Sequence, residues 1–151
     1  MQSSASPPST ASTGASGSEP AAESVRTRRS RTALGALLTG MGVLHVVAPK
    51  PFEAIIPDAL GHKRGLNLLA AAAEAGSGLA LLSPSPKTRR LGGMLATATI
   101  VGVYPANIDM ALKAGPPTTP FAIGAWLRLP LQFPLIAWAW KHARGPEGST
   151  R

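Results

Sequence analysis

The chain has 151 residues, a formal net charge of +8 and no cysteine. Its length allows one domain, and the missing cysteines exclude disulfides, dithiol relays and thiolate-bound metal or iron–sulfur centres. Charged residues make up 15% of the chain, low against the roughly one quarter usual in soluble domains, and Lys and Arg flank apolar segments rather than lining a recognition element, which argues against nucleic acid as a partner.

In chain order, residues 1–31 read as a disordered, basic cytoplasmic tail. The first 25 positions are rich in Ser, Ala, Thr, Pro and Gly without an apolar period, and such a stretch cannot bury enough surface to offset ordering entropy. These polar residues also keep the mean hydropathy of the whole chain only slightly positive. Arg26, Arg28, Arg29 and Arg31 follow, ahead of an apolar run over 33–48. A basic stretch before an apolar run could be a signal peptide, and Arg28-Arg29 hints at a twin-arginine signal. No small-x-small cleavage site follows, however, and three more apolar segments do. The run is read as a retained first membrane helix.

The expected helices lie at about 32–48, 65–83, 91–112 and 121–140, near the length of about 20 residues that a bilayer requires. Together they predict an all-α, integral membrane four-helix bundle over 32–141, with a short cytoplasmic tail over 142–151. A soluble bundle is disfavoured because no segment carries a continuous polar face. The second helix is built of small residues around Glu74, which suits close approach in a membrane. The connection over 49–64 mixes Phe52, Ile55 and Ile56 with Glu53. It reads equally as an ordinary loop or as a short interfacial or re-entrant piece. With the N-terminus inside, ten Lys and Arg fall on the inner side and four on the outer. The positive-inside rule then places both termini in the cytoplasm.

Ionisable groups inside a span are costly and normally face a bundle interior or a cavity. His45, Glu74, Asp109 and Arg128 are such groups, accompanied by Asn67, Tyr104, Asn107 and Gln132. At about 1.5 Å per residue, Glu74 lies roughly 13 Å and Arg128 roughly 10 Å below the outer ends of their helices. Similar depth makes the two natural partners if their faces meet, since burying either alone would cost several kcal/mol. The remaining groups fall in the same half. His45, Glu74, Tyr104, Asn107, Asp109, Arg128 and Gln132 therefore form the candidate polar pocket, open toward the outer face. Pro105, Pro130 and Pro134 would kink the third and fourth helices and widen it. The competing reading is structural: an ion pair and hydrogen bonds that fix which helices are neighbours. One His with two carboxylates lacks metal-site spacing, so no metal ligands are assigned. His62 and His142 sit outside the spans, which argues against bis-His haem. No catalytic residues are assigned, because no nucleophile triad, phosphate loop or nucleotide fingerprint appears.

Several short pieces, in order, resemble a known family. They are Gly42-Val-Leu-His45 before Pro49, then Phe52 and Ile56-Pro57, then Glu74 with Gly78. Tyr104-Pro105-Ala-Asn107 and Trp126-Leu-Arg128-Leu-Pro130-Leu-Gln132 complete the set. From 33 to 140 the chain resembles the DoxX-like proteins, small four-helix proteins of the bacterial cytoplasmic membrane. The resemblance implies a chain that accompanies redox enzymes acting on quinols or sulfur compounds, with His45, Glu74, Asn107 and Arg128 as its polar core. The expected function is an accessory or quinone-associated subunit of a membrane oxidoreductase, rather than a stand-alone enzyme. Any electrons would then be carried by another redox subunit or a bound quinone. The alternatives are a small proton-coupled transporter and a non-enzymatic membrane scaffold. Oligomeric state is not legible.

Overall fold

The computed structural model describes residues 23–144. Residues 1–22 of the expected disordered tail and 145–151 of the expected C-terminal tail lie outside that range; residues 25–31, expected to be disordered, and 142–144 are helical. Six helices follow one another: α1 (Val25–Val47), α2 (Pro49–Ala54), α3 (Lys63–Leu82), α4 (Pro86–Gly102), α5 (Tyr104–Ala114) and α6 (Pro120–Arg144), with a 3-10 turn at Asp58–Leu60 before α3. The described residues form no strand. Four units, α1, α3, α4 with α5, and α6, are long and apolar enough to cross a membrane.

Local chemistry sets the boundaries. Ser24 caps α1 by accepting a hydrogen bond from the Thr27 amide, so the helix starts at Val25, well before the expected 32, and carries the four arginines with it. A proline at position 49 cannot continue α1 and instead opens α2. The connection over 49–64 is thus partly helical. Gly61, at φ 61°, turns the chain into α3. Ser85 caps α4 and Pro86 opens it. Pro105 has no amide hydrogen, and the third unit breaks one residue before Tyr104, between α4 and α5. By contrast α6 runs unbroken through Pro130 and Pro134.

The four long units run alternately up and down. One end, here called the base, gathers the start of α1, the α3–α4 connection and the end of α6. Contacts there include Ser30 with His142, Arg31 with Leu81 and Arg90 with Ala143. The other end, the crown, holds α2, the 3-10 turn and the α5–α6 connection. α3 packs against α1 on one side and α4 on the other, α4 and α5 pack against α6, and α1 and α6 barely touch.

Small residues bring the helices together. A Cβ on Gly42 would stand 2.6 Å from the Ala71 carbonyl oxygen, and one on Gly78 would stand 2.6 Å from that of Gly35. Such backbone contact is how helices associate where lipid removes the hydrophobic driving force. The interior contains Leu34, Leu38, Leu81, Ala96, Ile100 and Ala139, with a second cluster of Met110, Ala111 and Ala125 nearer the crown. The buried set also includes Arg31, His45, Asn67, Ser77, Asn107, Gln132 and His142, while Leu69, Leu79, Leu91, Leu127, Leu131 and Phe133 are exposed. Polar groups inside and large apolar ones outside invert the pattern of a water-soluble domain.

Candidate functional site

The tightest polar cluster joins α1 to α3 in the crown half. His45 follows directly from the α1 face carrying Leu34, Leu38 and Gly42, all buried. Asn67 and Glu74 stand two turns apart on α3. The His45 Nδ1–H donates to Asn67 Oδ1 at 2.7 Å, and Asn67 Nδ2 donates to the His45 backbone carbonyl at 2.9 Å. The second bond decides the first. A backbone carbonyl only accepts, so the amide nitrogen of Asn67 faces it and the amide oxygen faces the ring. That oxygen requires a proton on Nδ1.

With Nδ1 committed, Nε2 faces Glu74 Oε2 at 3.5 Å. Glu74 Oε2 is buried and makes no hydrogen bond. Two arrangements of one proton satisfy this geometry: an imidazolium beside a carboxylate, or a neutral imidazole beside a carboxylic acid. Because Asn67 commits Nδ1, any proton this pair exchanges belongs between Nε2 and Oε2. Phe52 of α2 stacks on the imidazole, with ring centroids 3.8 Å apart and planes inclined by 26°. α2 is itself tied to α3, since Arg64 donates to Glu53 at 3.1 Å.

The depth argument paired Glu74 with Arg128, and the structure corrects it. The described residues place no Arg128 nitrogen within 4.0 Å of Glu74, although the Arg128 charge still reaches that carboxyl from further away; the side chain directly beside Glu74 is His45. Depth sets height along the bundle, but rotation about each helix axis sets the partner. α3 turns Glu74 toward α1, whereas Arg128 lines a cleft of about 400 Å³ between α1, α2, α5 and α6.

The other expected pocket residues are distributed rather than convergent. Asn107 Nδ2 donates to Gln132 Oε1 at 2.7 Å, joining α5 to α6. Gln132 Nε2 donates in turn to the Ile100 carbonyl, in the last turn of α4. This side chain thus ties α6 to the end of α4, beside the break before Tyr104. Tyr104 meets Phe133 edge-on, with centroids 5.8 Å apart. Asp109 pairs with Lys113, one turn further along α5, at 2.7 Å. Among the described residues no three His, Asp or Glu side chains are arranged to hold a metal ion.

A further polar cluster, absent from the sequence reading, closes the base. Glu23 accepts from Arg31 through both carboxylate oxygens, at 2.9 Å each, and from Arg89 at 2.9 Å. Arg31 also donates to the Leu81 carbonyl, and Arg89 to the Ser83 and Pro84 carbonyls. The hydrogen bond from Arg31 holds the Glu23 carboxyl below its ordinary range, with partial burial opposing and the charges of Arg31, Arg89 and His142 adding to it. Beside it, the Trp138 indole donates to Ser30 Oγ at 2.8 Å, and Ser30 lies 3.3 Å from His142 Nε2. In the sequence these arginines are legible only as topogenic charges. The one local signal was an acid directly before a helix-capping serine.

Fold and site together define a class: an all-helical up-and-down bundle with four membrane-length apolar units and a buried His–Asn–Glu cluster. The family described as "Domain of unknown function (DUF8561)" matches residues 34–143, and the chain belongs to it. No curated protein and no solved structure gives a significant match.

Proposed function

We propose that this chain is a multi-pass protein of the bacterial cytoplasmic membrane that serves as a quinone-associated accessory subunit of a membrane oxidoreductase. The observation that carries the reading is the His45–Glu74 pair. Its Nε2 and Oε2 face each other at 3.5 Å, with Nδ1 committed to Asn67, behind the aromatic ring of Phe52 and among apolar helices. Ionisable groups at such positions typically mark proton or substrate pathways. A bound quinone supplies chemistry that consumes and releases protons together with electrons. The chain's own part is to hold a proton at Nε2 or Oε2, keep it from bulk water and offer an aromatic face. The buried, unbonded Glu74 Oε2 fits a group that still has a hydrogen-bond partner to gain. Electrons come from another subunit, since the chain has no cysteine for a thiolate-ligated centre. Resemblance of residues 33–140 to the DoxX-like proteins supports the same reading. The excess of Lys and Arg on the base side supports cytoplasmic termini.

The test is thermal unfolding of the detergent-purified chain with and without a soluble quinone analogue, in wild type, Glu74→Gln and His45→Gln. Wild type is expected to gain a concentration-dependent stabilisation that both variants lose. An identical shift in all three, or none in wild type, would sink the proposal. Proton flux through liposomes without any quinone would move the assignment to a proton-coupled transporter.

A further inference from the structure

The cleft between α1 and α6 shares Phe52 with the proton pair and also carries a cation that the pair does not use. Its walls include Met41 and Leu44 of α1, Ile55 beyond α2, Met110 of α5 and Phe121 of α6. Its volume of about 400 Å³ lies within the usual range for small-molecule sites. One cation interrupts this apolar lining: Arg128. Three cations near the crown have acids of their own, Lys63 with Asp58, Arg64 with Glu53 and Lys113 with Asp109. Among the described residues Arg128 has neither an ion pair nor a hydrogen bond to another side chain.

We propose that this cleft binds a single-chain fatty carboxylate, its headgroup on Arg128 and its chain along Met41, Leu44, Ile55 and Met110. A guanidinium presents donors only, in a fork that matches a carboxylate with two parallel bonds. At roughly 10 Å past Phe121 along α6, a guanidinium that has the Glu74 charge only at a distance and no direct ion pair is costly in an apolar setting, and a neutral occupant would leave that cost in place. The same depth disfavours a phospholipid, whose phosphate stays at headgroup level while a slender carboxylate can descend. Entry is lateral, because α1 and α6 barely touch. Room is available beside the cation, since a Cβ on Gly124 would meet nothing within 4 Å.

The proposal rests on the cleft and does not depend on the proton-transfer reading; its readout involves neither quinone nor proton flux. Binding of radiolabelled oleate is measured on the full chain in maltoside micelles, for wild type, Arg128→Gln, Arg128→Lys and Gly124→Trp. Thermal unfolding of each confirms that it is folded. Wild type is expected to bind oleate saturably, and Arg128→Gln to weaken binding by roughly tenfold or more, the loss of a charge-assisted bond. Arg128→Lys should retain part of the affinity, and Gly124→Trp should block the site. Oleyl alcohol, with the same chain and no charge, should compete poorly. Equal competition by oleate and oleyl alcohol, or wild-type binding in Arg128→Gln, overturns the proposal. So does displacement of oleate by dioleoylphosphatidylglycerol at lower concentration, which would reassign Arg128 to a membrane phospholipid.

Discussion

Asn67 is 1% exposed and spends both ends of its amide on His45. Replacing it by Ala leaves the imidazole Nδ1–H and a backbone carbonyl unsatisfied in a buried site, at a cost of about 1–3 kcal/mol for each group. Asn67→Ala is therefore expected to lower the unfolding midpoint in detergent clearly, while an exposed polar change such as Thr118→Ala leaves it near wild type; equal midpoints would show that the amide bonds are not made. The same residues show what could be read ahead of the structure. His45 and Glu74 were conspicuous because polar groups stand out in apolar segments. Asn67 was visible as polar, but its reciprocal bond to the residue it serves depends on how α1 and α3 are rotated toward each other. Arg128 is the converse case: its depth was readable, and its orientation toward the α1–α6 cleft was not.

At the level of helices, close backbone approach organises the bundle. Gly42 faces the Ala71 carbonyl, whereas Gly40 on the same helix has open space beside it. Gly42→Ala should push α1 off α3 and cost about 1–3 kcal/mol. Gly40→Ala should be neutral, or stabilise by up to about 1 kcal/mol through helix propensity. Denaturant titration of both variants separates the two; matching losses would mean that α1 and α3 do not meet at Gly42. Both glycines look alike in the sequence, and only the packing tells them apart. Helix ends were partly legible: α6 opens at Pro120, next to the expected 121, but α4 opens at Pro86, ahead of the expected 91. The early start of α1 was not, because Arg31 becomes tolerable inside a helix bundle only once Glu23 and the Leu81 carbonyl receive it. The three prolines behave differently for the same kind of reason. The third unit breaks just before Tyr104-Pro105, where Gln132 donates to the Ile100 carbonyl, and α6 continues through Pro130 and Pro134.

For the whole molecule, the up-and-down order puts the start of α1 and the end of α6 at the base together with the α3–α4 connection. The absence of cysteine makes this testable with single introduced thiols. In membrane vesicles of known orientation, Lys87→Cys at the base and Thr118→Cys at the crown should react with an impermeant maleimide from opposite faces, Lys87→Cys from the cytoplasmic one. Labelling of both from one face would refute the multi-pass arrangement. The sequence by itself determined the number of long apolar units, the all-helical class and the presence of ionisable groups among them. These follow from composition and from the length a helix needs, properties carried by each segment alone. Tertiary structure decided which polar groups meet: His45 with Asn67 and Glu74, Asn107 with Gln132, Glu23 with Arg31 and Arg89, and Arg128 with the cleft. Each of those outcomes depends on the relative rotation and spacing of two helices. That geometry is set by small-residue contacts between elements far apart in the chain, and no single segment encodes it.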